Sequence, residues 1–322
     1  MSRKILFIGG TRLLGKRIVE RFIEGRNFEI TVLSRRAVVY ATGECNRVCA
    51  DRSEGLRQLA GKEFDMIVDF IAYDDKAVKE VLDQLRFRKY IFVSTCWMTK
   101  LNKQFNADQF IAEVAPGALE LLHPVTQNYL VNKRAAENYT HGNAPSGSFH
   151  ILRLPIFWGK EDHTKRLEFY VSRLLDNTPI IMVNGGNNIC QISYVEDLSD
   201  KVYRFFGKEP FVGNPIYEAL PSRGRKVSEI LRLVADSVGS SSELLGVDEK
   251  ILREKFSEYL GEEPLWREEG IRVTGNNIYQ MLGSQGDPEE NWLPQLALYE
   301  LGKKPLPGSL RSVEHKFVKA LV

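Results

Sequence analysis

Lys4-Ile5-Leu6-Phe7-Ile8-Gly9-Gly10-Thr11-Arg12-Leu13-Leu14-Gly15 (KILFIGGTRLLG, residues 4–15) is the stretch that decides the fold. KILFI is a short β-rich run, the glycines break it into a turn, and Leu14 to Phe22 continues with helical spacing. Strand, glycine turn and helix in that order form the context a dinucleotide-binding fingerprint requires. Gly9 permits the tight turn and Gly15 lets the helix approach the sheet. The amides at Leu13 and Leu14 then face a pyrophosphate, helped by the positive end of the helix dipole. Gly9, Thr11, Arg12, Leu13, Leu14 and Gly15 are therefore the first candidate cofactor residues. The alternative is a glycine-rich turn without a ligand.

Outward from this turn, β-rich and helical stretches keep alternating, the signature of a parallel sheet wrapped by crossover helices. Strands are expected at Glu29–Leu33, Arg47–Ala50, Met66–Ile71, Lys89–Val93 and Phe149–Leu154. Helices are expected at Ser53–Leu59, Lys76–Leu85 and Gln127–Tyr139. The connection from Lys100 to Pro124 is long enough to read as a lid. Beyond residue 155 prolines punctuate shorter elements, so the chain is expected to divide into a dinucleotide domain over 1–155 and a substrate region over 156–322 that partly returns to the sheet. Val227 to Val238 reads as an amphipathic helix with Ser228 near its start, Asp248 to Glu263 as a charged helical face, and Gly308 to Val322 as a docking helix with Ser309 as its cap.

Arg12 stands where a middle glycine is usual and brings a guanidinium beside the phosphates. At the end of the second strand, where an NAD site has a carboxylate for the ribose 2′-hydroxyl, this chain has Ser34-Arg35-Arg36. An acid there would repel a 2′-phosphate, whereas a serine donates a hydrogen bond and arginine forms a paired, charge-assisted contact. The residues favour NADP, with NAD as the other choice; solvated loop charges are the bland reading of the arginine pair. Asp51, followed by Arg52, either accepts a bond from the adenine amino group or caps a helix.

Tyr129 and Lys133 are four apart on an expected helix and project from one face. Thr95 follows the fifth strand, at the carboxyl edge where open α/β sheets place ligands. A phenol exchanging a proton near neutrality must have its pKa brought from about 10 to about 7, which takes about 4 kcal/mol of differential stabilisation. A neighbouring ammonium acts in that direction. Tyr129 is the candidate acid/base, Thr95 the hydroxyl that bonds the substrate oxygen, and Lys133 the cation that tunes the phenol and holds the nicotinamide ribose. An ordinary amphipathic pair beside a strand cap is the alternative.

IGGTRLLG at 8–15, FVST at 92–95, YLVNK at 129–133, LRLPIFWG at 152–159 and ISYVEDLSD at 192–200 together resemble the extended short-chain dehydrogenase/reductase superfamily, in its NAD-dependent epimerase/dehydratase branch. The resemblance covers residues 8–200. It implies a doubly wound Rossmann-type α/β domain with a smaller C-terminal substrate domain, a homodimer through paired long helices, and cofactor contacts near Phe70-Ile71-Ala72 and near Pro155 and Ile156. Its Arg12 is similar to that of an atypical subgroup including chloroplast stem-loop-binding proteins. Cys96-Trp97-Met98-Thr99 replaces the stretch in which sugar-nucleotide enzymes commonly carry a tyrosine, so Trp97 is a candidate pocket residue, with a buried core tryptophan as the alternative. Asn187 to Gln191 lacks the arginine–aspartate pair often found before ISYVEDL-like strands, and no acid follows Thr95 as in dehydratases.

The 322-residue chain has 44 basic and 42 acidic residues, a formal charge of +2, which gives no general field for nucleic acid or anionic lipid. Apolar residues at 43% and charged residues at 27% are those of a globular protein. No run approaches a membrane span or a signal-peptide core. Cys45, Cys49, Cys96 and Cys190 have no zinc spacing and read as free thiols in the cytoplasm. His123, His141, His150, His163 and His315 are scattered without metal-ligand spacing and read as surface or loop residues; His163 with Lys165 and Arg166 is either a contact for an anionic substrate or, the plainer reading, a group of solvated side chains. The expected function is an NAD(P)-dependent reductase or epimerase acting on a hydroxyl or carbonyl carbon of a small molecule, including a sugar or nucleotide sugar. The alternative is a non-catalytic nucleotide-fold protein used for RNA contact or assembly.

Overall fold

A computed structural model of the protein describes residues 2–101, 124–145, 148–207, 216–265, 276–303 and 310–321. In chain order the first half holds β1 (Arg3–Ile8), α1 (Leu13–Glu24), β2 (Phe28–Ser34), β3 (Asn46–Cys49), α2 (Arg52–Gln58), β4 (Glu63–Asp69), α3 (Asp75–Gln84), β5 (Arg86–Thr95), α4 (Trp97–Leu101), α5 (Pro124–Asn143) and β6 (Phe149–Leu154). The second half adds β7 (Ile156–Trp158), α6 (Arg166–Leu174), β8 (Ile180–Val183), β9 (Ile189–Cys190), β10 (Ile192–Tyr194), α7 (Val195–Phe206), β11 (Ile216–Glu218), β12 (Arg225–Lys226), α8 (Val227–Val238) and β13 (Leu244–Val247). It closes with α9 (Glu249–Lys255), α10 (Ser257–Glu262), α11 (Ile278–Met281), α12 (Glu289–Gly302) and α13 (Arg311–Leu321).

Seven strands form one sheet in the order β11-β6-β5-β4-β1-β2-β3, and every pairing in it is parallel. The order reverses between β1 and β4, the doubly wound Rossmann arrangement that opens a crevice outside the strand ends at that point. Successive strand residues face opposite sides of the sheet, and both sides are covered here, which explains why Ile5 to Ile8 are all apolar and buried. Leu6 and Ile8 join a core with Leu56, Val78, Val81 and Ala136 on the side of α2, α3 and α5. Phe7 points the other way, its ring 5.4 Å from Phe22 of α1. The strand at Met66–Ile71 in the sequence reading ends at Asp69, which leaves Phe70 and Ile71 in the turn beyond it.

The chain divides into two compact units: Met1–Pro155 with Val195–Leu220 and Val273–Ser284, and Ile156–Tyr194 with Pro221–Arg272 and Gln285–Val322. In the second unit α6, α8 and α12 enclose Trp158, Leu174, Val234 and Leu293. Asp248 to Glu263 is not simply a charged face: α9 and α10 break at Phe256, and Leu252, Phe256, Tyr259 and Leu260 share a core with Val318 of α13. Ser309, the expected cap of α13, and the connection read as a lid lie outside the described residues, apart from the end segments of that connection in α4 and α5.

His150 departs from the surface reading. It is buried on β6, with its ring 6.3 Å from Phe206 and 5.5 Å from Tyr217, and burial pushes its pKa down to about 4. All four cysteines are free thiols, and among the described residues no helix is long and apolar enough to cross a membrane.

Candidate active site

The glycine turn joins β1 to α1 backbone against backbone. Gly9 and Gly10 take φ of 89° and 77°, where a side chain is strained. A Cβ on Gly15 would lie 2.8 Å from the Gly10 Cα, so only glycine lets the first turn of α1 settle on the loop. A Cβ on Gly9 would meet Ile71 Cγ2 at 3.0 Å and Phe70 Cβ at 3.3 Å, so the turn after β4 lines this loop. Arg12 is exposed in extended backbone just before α1, Thr11 is half-buried, and Leu13 and Leu14 are buried in the first turn. That turn leaves its early N–H groups without intrahelical acceptors, the arrangement that holds an anion. Gly15→Ala is expected to destabilise the protein by roughly 1–3 kcal/mol, the range for forcing extra volume into a packed site. Chemical denaturation checks this.

Tyr40 supports the same turn and was not anticipated. Its buried hydroxyl donates to the Gly10 carbonyl at 3.0 Å, and burial raises the phenol well above its ordinary range, so it stays a donor. Tyr40 follows a stretch with no helical or strand period, which is why nothing in the sequence marked it.

At the end of β2, Arg35 and Arg36 are exposed, while the half-buried Ser34 donates its hydroxyl proton to the Arg36 carbonyl at 2.7 Å. The free donor expected of Ser34 is therefore engaged within its own turn. Asp51 takes the capping role: its Oδ1 accepts from the Glu54 amide at 3.0 Å at the start of α2. Arg52, also an expected cofactor neighbour, is engaged with a carboxylate. Its guanidinium forks onto Asp69, Nη1 to Oδ1 at 2.9 Å and Nη2 to Oδ2 at 2.6 Å, and Nη2 also donates to the Ala77 carbonyl at 2.7 Å. The fully buried Asp69 accepts further bonds from Tyr90 Oη and the Ile71 amide. Arg52 thus belongs to an ion pair that closes the end of β4.

Thr95 is the buried last residue of β5, and its Oγ1 accepts from the Trp97 amide at 3.3 Å. Tyr129 lies on α5 at 37% exposure, and one turn later Lys133 is 2% exposed. Lys133 Nζ donates to the carbonyls of Ala72 and Val93, both at 2.8 Å, spanning the ends of β4 and β5. Two of an ammonium's three donors are so used. Three rings surround the nitrogen, with centroids 4.7 Å away for Phe92, 5.1 Å for Tyr73 and 6.0 Å for Tyr129. Burial pushes the Lys133 pKa down to about 8, against the opposing pull of Asp69 and Glu137.

The structure thus brings together Ala72, Tyr129 and Lys133 and adds Tyr73, an exposed residue whose ring is 6.5 Å from that of Tyr129. Tyr73 follows the expected cofactor residues directly, and that adjacency was the signal available for it. The half-buried Trp97 opens α4 in the first unit. Pro155 ends the first unit's opening segment and Ile156 begins β7 of the second. Arg166 opens α6 in the second unit, where its Nη1 donates to Thr164 Oγ1 at 3.1 Å.

No protein-family model matches the sequence, and comparison with curated proteins gives no match. Solved structures do match. An NAD-dependent NDP-hexosamine 5,6-dehydratase of tunicamycin biosynthesis is 13% identical over 94% of this chain and 98% of its own, with a TM-score of 0.65. A UDP-N-acetylglucosamine 4-epimerase from Bacillus cereus is 15% identical over 92% and 96%, with a TM-score of 0.64. A dTDP-glucose 4,6-dehydratase from Bacillus anthracis, solved in complex with NAD, is 14% identical over 94% and 98%, also at 0.64. At these identities the likeness is one of fold, and it extends over nearly the whole chain: the protein has the Rossmann-type architecture of the NAD-dependent epimerases and dehydratases.

Proposed function

We propose that the protein is an NAD(P)-dependent oxidoreductase or epimerase acting on a hydroxyl or carbonyl carbon, with Tyr129 as the acid/base. The observation that carries this reading is the buried Lys133 ammonium, pinned between the ends of β4 and β5 and faced by the Tyr129 ring. A dinucleotide fits the turn made by Gly9, Gly10 and Gly15, whose close packing sets the start of α1, with N–H groups that lack intrahelical acceptors, directly after β1. A bound nicotinamide would supply the acceptor or donor of hydride. Tyr129 gives its phenolic proton to the substrate oxygen or takes it back, the Thr95 hydroxyl orients that oxygen, and the third Lys133 N–H is left for a ribose hydroxyl.

One similar structure described as NAD-dependent and one solved with NAD support a nicotinamide cofactor, and the names of the similar structures make a sugar or nucleotide sugar the substrate class to test first. NADP is proposed over NAD because Ser34, Arg35 and Arg36 offer two cations and no carboxylate at the end of β2. Cys96, not an acid, follows Thr95, which favours reduction or epimerisation over dehydration. A homodimer is part of the same proposal. Fluorescence titration tests the cofactor: NADPH binds more tightly than NADH, and Arg35→Ala weakens NADPH about tenfold while leaving NADH unchanged, one charge-assisted contact being worth about 1.5–3 kcal/mol. Equal affinities in the wild type contradict the preference.

The folded-state pKa of Lys133 lies below its unfolded value, so below about pH 8 the folded protein holds a proton there at a disadvantage. Stability from this group rises with pH from about 8 towards the unfolded value of about 10.5 as that disadvantage is relieved. Activity runs the other way and declines above about pH 8, as the cation that supports the phenol is lost. A pH–rate profile beside a pH series of urea midpoints checks both signs, using Lys133→Met as the control in the stability series.

A further inference from the structure

Tyr129, Lys133 and Glu137 recur every four residues along α5, and the proposed mechanism leaves the third of them without a task. Among the described residues the buried side chains of α5 form one face, on which Leu130 and Ala136 are apolar and Lys133, Glu137 and Thr140 are polar. An inward face with so little apolar volume sets the rotation of a helix weakly, because apolar contact is non-directional. Lys133 supplies one directional contact through the Ala72 and Val93 carbonyls, and Arg153 on β6 supplies a second, one turn further along the helix. Arg153 is fully buried, and its guanidinium forks onto Glu137, Nε to Oε1 at 3.1 Å and Nη2 to Oε2 at 2.7 Å.

The same guanidinium extends Nη1 to Thr99 Oγ1 at 3.3 Å, and the Thr99 hydroxyl donates in turn to the buried Glu218 on β11. Thr99 sits in α4, four residues beyond Thr95 at the end of β5. Between them, Cys96 donates its amide to the Leu154 carbonyl at 2.8 Å and its thiol to the Arg153 carbonyl at 3.3 Å. One residue therefore holds the tyrosine–lysine helix with its side chain and the chain just after Thr95 with both its side chain and its carbonyl. A planar guanidinium fixes angle as well as distance in such a fork. Glu137 is two turns from Tyr129, about 12 Å along the axis, so a small rotation at the clamp is carried to the phenol.

We propose that Arg153 is a positioning residue that, through Glu137 and Thr99, sets the rotation of α5 and so places Lys133 and Tyr129 against the strand end bearing Thr95. The inference rests on the proposed function for its consequence in catalysis, but its structural core does not need a substrate.

Arg153→Lys is the sharpest variant, because it keeps the buried charge and loses the fork. The control is Glu314→Gln, which breaks another buried pair, Arg173 Nε to Glu314 Oε2 at 3.0 Å, within the second unit. Two readouts apply: NADPH affinity by fluorescence, and the Lys133 resonance in protein labelled with [ε-13C]lysine, assigned with Lys133→Met. Arg153→Lys is expected to weaken NADPH about tenfold and to move the Lys133 resonance, a coupling of about 1.4 kcal/mol, within the range for residues in one network. Glu314→Gln is expected to lower the melting temperature without changing either readout.

Wild-type affinity and an unmoved Lys133 resonance in Arg153→Lys overturn the inference. Equal changes in Glu314→Gln overturn it as well. If the wild type binds neither NADPH nor NADH, the dinucleotide reading fails on its own, and the Lys133 resonance alone decides the role of Arg153. Should Arg153→Lys not fold, the paired Arg153→Met and Glu137→Met replacement removes both charges together and is read in the same two ways.

Discussion

Tyr129→Phe is expected to lower turnover by about 10²–10⁴-fold, the contribution of a positioned acid/base group to proton transfer. The substitution removes one oxygen from a side chain that is already 37% exposed and keeps the ring facing Lys133. Its fold and its NADPH affinity should therefore match the wild type. That separation makes the variant informative, since a loss of kcat with unchanged cofactor binding isolates the proton step. The assay is a panel of carbonyl compounds and nucleotide sugars, followed both as NADPH consumption and as epimer formation. A recycling epimerase retains its dinucleotide through many turnovers, whereas a reductase consumes NADPH in proportion to product. Wild-type turnover in Tyr129→Phe would remove the phenol from the mechanism.

The second large effect concerns stability. Arg52→Met is expected to destabilise the protein by about 3–5 kcal/mol, because it leaves the fully buried Asp69 carboxylate without its cation. Tyr90 Oη and the Ile71 amide still donate to Asp69, but neither offsets a buried charge. Replacing both partners, Arg52→Met with Asp69→Leu, is expected to recover most of the loss, since an apolar pair of similar volume need not desolvate two ions. Urea midpoints of the two variants measure the difference. A cofactor role for Arg52 would instead appear as weakened dinucleotide binding in a protein of normal stability.

The parts of the fold that were legible in the sequence are those written in local pattern. The KILFI run, the glycine turn and the spacing of Val227–Val238 each specify an element with its neighbours in the chain. Gly15 was legible as a close-approach residue because its spacing from Gly9 implies the turn, although its contact proves to be the Gly10 backbone. The contacts of Arg52, Tyr40 and Arg153 were not legible. Arg52 meets Asp69 17 residues away, Tyr40 meets Gly10 30 residues away, and Arg153 meets Thr99 54 residues away, so each depends on strands coming together first. Arg52 looked like a ligand residue because a cation after a strand is ambiguous until its counter-ion is seen. His150 was misplaced for a related reason: a histidine within FHILRL can face either side of a strand, and this one meets Phe206 and Tyr217.

The central claim is that a phenol on α5 meets a nicotinamide held by the glycine turn, with Lys133 beside both. A crystal structure of the complex with NADP⁺ tests it most directly. The account predicts the pyrophosphate over Gly9 to Gly15, a Lys133 N–H on the nicotinamide ribose, and Tyr129 Oη on the side of the ring where a substrate oxygen would lie. A dinucleotide bound elsewhere, or a Tyr129 hydroxyl out of reach of any group bonded to the nicotinamide face, would contradict it.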